Sequence, residues 1–196
     1  MKYNMKRSVI WAVLLLFGVN LAPAAIALTT LVENMSQPVQ DDFFLGSTFV
    51  QPFTTGGAAS LNMLFISSNS GWSASDSPTI SLLDSGRNLV ASFVYSASYL
   101  SVVTYSASSY ALQAASTYFI EVSGGTGYLN VTTSPNQTGL SGWTIGDLSY
   151  RGFDSSTPSS QILRFSLEGQ VPEPATSSLL AIGLGLFALA RRRSRA

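Results

Sequence analysis

The sequence predicts an all-β protein, an antiparallel β-sandwich of jelly-roll-like form, with a signal helix at the N-terminus and a transmembrane helix at the C-terminus. Residues 28–170 are rich in Ser, Thr, Gly, aromatic and β-branched residues and poor in helix formers. Short apolar runs alternate there with turn-forming Gly, Ser, Asn, Asp and Pro. The two ends, 1–27 and 171–196, instead carry continuous apolar runs beside basic residues. We therefore expect one β-sandwich domain between two terminal segments.

The N-terminal segment has the layout of a secretory signal peptide. Three basic residues, Lys2, Lys6 and Arg7, precede an apolar run over 9–19. The small residues Ala25 and Ala27 follow, so we predict cleavage after Ala27, with Ala22-Pro23-Ala24 as a second choice. A retained signal anchor is the alternative.

In the first half of the domain the sequence predicts three strands and a hairpin. Leu31–Gln40 is an edge strand or lead-in, and Phe43–Phe53 is a strand with Phe49, Gln51 and Phe53 on one face and Pro52 at an edge or bulge position. Alternation then predicts a strand with Leu61, Met63 and Phe65 inward. Residues 79–83 and 88–94 form a hairpin, because Asp84-Ser85-Gly86 has turn chemistry.

In the second half of the domain the sequence predicts at least four more strands. The clearest is 117–122, with Tyr118, Ile120 and Val122 inward. Strands at 128–132, 143–145 and 161–167 complete the set. The twice-repeated Tyr-Ser-Ala-Ser at 95–98 and 105–108 is too short a series for a solenoid.

Charge and composition exclude several classes of function. The formal net charge of zero hides an acidic domain, since residues 28–171 hold nine carboxylates against three arginines, a net charge of −6. Nucleic acid is excluded as a partner because no basic cluster is present to release counterions. The chain has no cysteine, so the domain is held by its core rather than by disulfides.

We expect no enzyme, no cofactor and no catalytic residue. Histidine and cysteine are both absent, which removes the common nucleophilic triads and nearly all zinc, copper or haem sites. Paired carboxylates could still hydrolyse a glycan, but most of the acids lie in turns. Calcium could bind at Asp41-Asp42 or near Asp147 and Asp154, yet no spaced Asp-x-Asp-x-Asp-Gly loop is present, so we predict no metal site.

Two tryptophans could bind carbohydrate. Trp72 and Trp143 each follow a glycine in polar surroundings, which could leave a ring exposed for a sugar. Burial of the ring over the sandwich core is the alternative, and it is the more common environment for tryptophan.

The C-terminal segment combines three elements in a fixed order. Val171, Pro172, Glu173 and Pro174 open a motif at 171–175, in which the prolines favour an extended chain. An apolar helix follows at 177–190, whose run of 13 residues from Ser178 is about 20 Å long and short for a bilayer. The basic tail, 191–196, holds four arginines that should stay cytoplasmic: Arg191, Arg192, Arg193 and Arg195.

This tail resembles the PEP-CTERM sorting signal of Gram-negative bacteria. The resemblance implies recognition by an exosortase, a membrane-embedded cysteine protease-like enzyme that is thought to cleave near the Pro-Glu-Pro motif. An ordinary single-pass anchor is the alternative.

The domain resembles the "choice-of-anchor R" domain over about 30–169. The likeness rests on Gln51-Pro52-Phe53-Thr54-Thr55-Gly56, Ile80-Ser81-Leu82-Leu83-Asp84, Leu112–Val122 with Thr117-Tyr118, and Gly142-Trp143. This likeness implies a fold and a location ahead of a sorting tail, but it implies no mechanism.

We therefore predict an exported surface or matrix protein that has an exosortase as its partner and is attached to the membrane transiently. We also predict a link to exopolysaccharide or biofilm. The alternatives are a carbohydrate-binding module and a carboxylate-based glycan hydrolase.

Overall fold

The computed structural model describes residues 27–44, 48–69, 73–151 and 161–172, and these residues form fourteen strands without a helix. None of them therefore belongs to a helix that could cross a membrane. The predicted signal helix and the predicted helix at 177–190 lie outside the described residues. In chain order the strands are β1 (Thr29–Glu33), β2 (Asp41–Phe44), β3 (Thr48–Thr54), β4 (Ala59–Ser67), β5 (Thr79–Leu83), β6 (Leu89–Tyr99), β7 (Val102–Leu112), β8 (Thr117–Ser123), β9 (Tyr128–Thr132), β10 (Thr138–Gly139), β11 (Thr144–Ile145), β12 (Ser149–Arg151), β13 (Ile162–Leu163) and β14 (Phe165–Gln170).

All strand pairs are antiparallel, which confirms the predicted fold class. The large sheet has the order β10-β1-β14-β4-β7-β6-β5-β8-β3-β11, with β12 also on β3, and the small sheet has the order β13-β9-β2. Strand β6 forms the corner of the sandwich, because its first half pairs with β5 and its second half with β7. The two halves of the large sheet close over one continuous apolar core.

Local turn chemistry and alternation predict several elements correctly. The hairpin β5–β6 forms at Asp84, whose carboxylate accepts hydrogen bonds from the backbone N–H groups of Gly86 and Asn88 at 2.8 and 2.9 Å. Strand β8 buries Tyr118, Ile120 and Val122 as expected.

The predicted inward face of β4 is wrong beyond its first residue. Leu61 is buried, but the next buried residues are Leu64 and Ile66, whereas Met63 and Phe65 lie on the outer face and are half-buried. The pairing of β4 with both of its neighbours shifts between Leu61 and Met63. A bulge at Asn62 adds one residue, and one extra residue moves every later side chain to the other face.

The segment 43–53, predicted as one strand, contributes to two sheets. Strand β2 pairs with β9 in the small sheet, and β3 pairs with β8 in the large one. On its other side β3 pairs first with β12 and then with β11, and Pro52 lies between these two pairings. Proline has no N–H to donate, so it is tolerated at this gap.

Two fully buried amides fix the passage of the chain from β13 to β14. Gln51 accepts a hydrogen bond from the N–H of Leu163 at 2.9 Å, and Asn34 donates to the carbonyl of Leu163 at 2.9 Å. Asn34 also accepts from the N–H of Phe165 at 2.8 Å, where β14 begins. Strand β14 therefore starts from a position fixed by side chains more than 100 residues away.

Candidate processing site at the chain termini

The last strand carries the polypeptide directly to the predicted sorting motif. Strand β14 ends at Gln170, and Val171 and Pro172 follow as exposed residues without regular structure. Val171 is 43% exposed, although it is apolar. Glu173, Pro174 and the arginines Arg191, Arg192, Arg193 and Arg195 lie outside the described residues. One residue thus separates the folded sheet from the first proline.

The residues just before the motif are locked in the sheet. Strand β14 lies between β1 and β4, and Phe165 and Leu167 are fully buried. At Gly169 a Cβ atom would stand 2.1 Å from the carbonyl oxygen of Ser60, so only glycine fits beside β4 at this point. An enzyme that needs an extended peptide can therefore take residues from Val171 onward, but not from within β14.

The N-terminal end of the domain lies beside the C-terminal end. Thr29 of β1 pairs with Gly169 of β14, and Thr30 pairs with Glu168. Ala27 lies two residues before Thr29, and Val171 lies two residues after Gly169. Ala27, the predicted cleavage residue, is exposed two residues before β1, and Ala25 lies outside the described residues. The strand pairing therefore brings the two predicted processing sites together at one end of the sandwich.

A comparison with known families assigns the tail. The model of the PEP-CTERM protein-sorting motif matches residues 170–195, beginning at the last residue of β14. The chain carries a PEP-CTERM motif. This match confirms the resemblance found in the sequence, and it marks an exported protein that an exosortase sorts to the cell envelope. No curated protein matches the chain. The likeness of the domain to the choice-of-anchor R domain stays a prediction.

Ahead of the PEP-CTERM motif, the described tryptophan is part of the core. Trp143 is only 4% exposed, and its ring stacks on Phe53 with centroids 6.3 Å apart and an angle of 6° between planes. A sugar would need an exposed ring to stack on. The ring of Trp143 is buried against Phe53 of β3, so it cannot serve as that platform. Trp72 lies outside the described residues.

The most exposed aromatic ring in the described part of the domain is one that sequence analysis missed. Tyr99 is 77% exposed and Leu100 is 76% exposed, at the two-residue turn between the long strands β6 and β7. Leu100 has a φ of 54°, a left-handed conformation that bulky residues rarely adopt. The signal in the sequence was a bulky pair, Tyr99-Leu100, where a tight hairpin favours Gly or Asn.

The acidic residues that we considered as calcium ligands have polypeptide partners. Asp41 accepts a hydrogen bond from the backbone N–H of Asp42 at 2.8 Å, and Asp42 accepts one from the Asn69 amide at 2.6 Å. No group of three or more acidic side chains converges within the described ranges. Asp147 is exposed, and Asp154 lies outside the described residues.

A second polar cluster ties the last strand to the start of the domain. The Arg164 guanidinium donates to the Ser67 hydroxyl at 3.1 Å and to the carbonyl of Met35. Burial lowers the pKa of Arg164, while the nearby Glu33 carboxylate opposes that shift. The Asn130 amide donates to the same Ser67 hydroxyl at 2.8 Å. These contacts hold the junction of the two sheets, which is a structural role.

Proposed function

We propose that residues 28–170 are a non-enzymatic surface or matrix module of a Gram-negative bacterium, held briefly at the inner membrane by the helix at 177–190 and then released by an exosortase. The observation that carries the proposal is the start of the PEP-CTERM motif at Gln170, the last residue of the last strand. Every described strand ends at or before Gln170. A cut near Pro172-Glu173-Pro174 therefore releases the whole folded domain.

The non-enzymatic assignment is supported by what the carboxylates do in the fold. Asp84 organises a hairpin turn, and hydrogen bonds from its own turn lower its pKa. Asp76 accepts hydrogen bonds from Ser73 at 2.5 Å and from Thr126 at 3.3 Å. Glu33 accepts from the N–H of Met35 at 2.6 Å. These acids have structural partners, which is a sufficient reason for their presence.

The experiment that tests sorting is expression of the full chain with and without an exosortase, followed by intact mass and fractionation. We expect loss of the tail only when the enzyme is present, and the variant Glu173→Gln should reduce it. Glu168→Gln is the matched control, because Glu168 is a carboxylate five residues earlier in β14. A tail that persists with the enzyme would make the chain a permanently anchored protein and would overturn release.

We also propose that the released domain associates with exopolysaccharide, through the exposed ring of Tyr99 rather than through Trp143. An exposed aromatic face is a suitable platform for a sugar ring. Tyr99→Ala should lower retention of the released domain on purified exopolysaccharide. Val94→Ala is the control, since Val94 is 66% exposed on the same strand but has no ring. Equal retention of both variants and the parent would remove Tyr99 as a contact.

A further inference from the structure

The outer face of β4, β7 and the end of β6 carries a group of uncharged side chains outside the core. We define the outer panel as these six residues: Met63, Phe65, Tyr99, Val102, Thr104 and Ser106. On β4 and β7 they alternate with fully buried residues such as Leu64 and Val103, so they point away from the core. The panel therefore presents apolar, aromatic and hydroxyl groups on one sheet face.

An irregularity in β4 places two large apolar side chains on this face. The pairing of β4 with β14 shifts at Asn62, between Leu61 and Met63. Unbroken alternation from the buried Leu61 would instead turn Met63 and Phe65 into the core. Bulges re-aim side chains and are over-represented next to functional sites. The fold thus exposes a methionine and a phenylalanine that a regular strand would bury.

The panel is wider than a single sugar ring. Phe65 pairs with Thr104 of β7, and Tyr99 of β6 pairs one row further along with Val102. With about 4.8 Å between strands and about 6.8 Å between rows on one face, the Cα atoms of Phe65 and Tyr99 are about 12 Å apart. Hydroxyls of Thr104 and Ser106 lie on the strand between them. Sugars combine apolar C–H faces with hydroxyl groups, so a chain of sugars matches both the rings and the hydroxyls.

Charge favours a neutral chain over an acidic one. Glu168 of β14 pairs with Met63 at the border of the panel, and the domain carries nine carboxylates against three arginines, a net charge of −6. Arg164 lies beyond the panel, where its guanidinium donates to the Ser67 hydroxyl and the Met35 carbonyl. Glu168 would repel a polyanion, whereas it can accept hydrogen bonds from sugar hydroxyls. The same net charge opposes a second copy of the domain as the occupant.

We infer that the outer panel binds a neutral polysaccharide chain, with Phe65 and Tyr99 as its two ring contacts. This inference rests on the exopolysaccharide association in the proposed function, to which it adds the chemical class of the polysaccharide and the rest of the site. Val94 borders the panel beside Ser106 but supplies neither a ring nor a hydroxyl. Val94→Ala therefore remains a control.

The test measures retention of the mature protein, purified from a host that carries an exosortase, on immobilised exopolysaccharide. Anion exchange first separates the exopolysaccharide into a neutral and an acidic fraction. We expect retention on the neutral fraction to be at least about ten-fold stronger. Phe65→Ser and Thr104→Glu should each lower it several-fold, the second by bringing a charge and bulk into the middle of the panel.

Each panel variant has a matched control. Phe119→Ser removes a half-buried ring from the outer face of β8, in the other half of the sandwich, and should leave retention unchanged. Ala111→Glu adds the same charge at an exposed position seven residues beyond Thr104 on β7, and it should also leave retention unchanged. Tryptophan fluorescence checks that each variant is folded. Thr104 lies on the surface, so Thr104→Glu keeps the test decisive if Phe65→Ser unfolds the domain.

The outcomes separate failure of the inference from failure of the proposed function. If neither fraction retains the parent protein, the exopolysaccharide association is wrong and the inference falls with it. If Tyr99→Ala abolishes retention but Thr104→Glu does not, the association stands and the panel is overturned. Stronger retention on the acidic fraction overturns the neutral class. A parent dimer in sedimentation velocity that Thr104→Glu separates would assign the panel to a second copy and would overturn the inference.

Discussion

Replacing Gln51 with alanine should be among the most destabilising single changes in the domain. Gln51 is fully buried on β3, and its amide joins three separate segments. It accepts from the N–H of Leu163 at 2.9 Å, and it donates to the carbonyls of Gly146 at 2.5 Å and Pro52 at 3.1 Å. Truncation removes all three hydrogen bonds together.

The magnitude follows from the groups that lose their partners. The Leu163 N–H and the Gly146 carbonyl would each lose a buried partner, at a cost of about 1–3 kcal/mol apiece. The cavity left by the side chain adds to this, so we expect a loss of about 4 kcal/mol from a free energy of unfolding that is about 5–15 kcal/mol in typical domains. Gln51→Met keeps most of the volume, so it should cost about 1–2 kcal/mol less than alanine.

Urea unfolding of the released domain, followed by tryptophan fluorescence, measures these losses. Gln113→Ala is the control, because Gln113 is exposed, and it should change the free energy of unfolding by no more than about 0.5 kcal/mol. A loss below about 1 kcal/mol for Gln51→Ala at an unchanged m-value would refute the reasoning, because it would mean that neither partner is left unpaired.

Three further changes test the packing and the titration of the core. Gly169→Ala should cost about 2 kcal/mol in urea unfolding, because its Cβ would overlap a β4 carbonyl, whereas Gly57→Ala, with nothing within 4 Å, should be nearly neutral. Trp143→Ala should lower the free energy of unfolding by about 3–5 kcal/mol. Thermal melts should therefore show a lower melting temperature for this variant, independently of any change in polysaccharide retention. Burial raises the pKa of Tyr105 to about 12, partly offset by its hydrogen bond with Ser77. The folded state favours the neutral phenol, so the contribution of Tyr105 to the free energy of unfolding should be complete below pH 10 and be lost as the pH rises to about 12. In Tyr105→Phe this loss of stability at alkaline pH should be absent from the unfolding curves.

Features that depend on neighbouring residues could be predicted from the sequence. The sorting tail could be identified from the order of its three parts alone: Pro-Glu-Pro, an apolar run and a cluster of arginines. The family match at 170–195 agrees with that identification. The Asp84 turn formed as expected, because an aspartate binds the backbone of its own turn. The all-β class followed from composition and alternation, which report the local preference of each segment.

Features that depend on distant partners could not be predicted in this way. The outward position of Met63 and Phe65 follows from a bulge whose register is set by pairing with β7 and β14. The burial of Trp143 depends on Phe53, about 90 residues earlier, so a polar sequence around the ring said little about its exposure.

The sequence by itself predicted two processing signals and an all-β domain from local composition and order, and the family match at 170–195 and the strands confirm the C-terminal signal and the domain. Only the tertiary structure decided that the two ends meet, since Thr29 and Gly169 are neighbours solely through the pairing of β1 with β14. That pairing, between the first strand and the last, places the start and the end of the folded domain side by side. Its register depends on how the whole core packs, which no local pattern encodes.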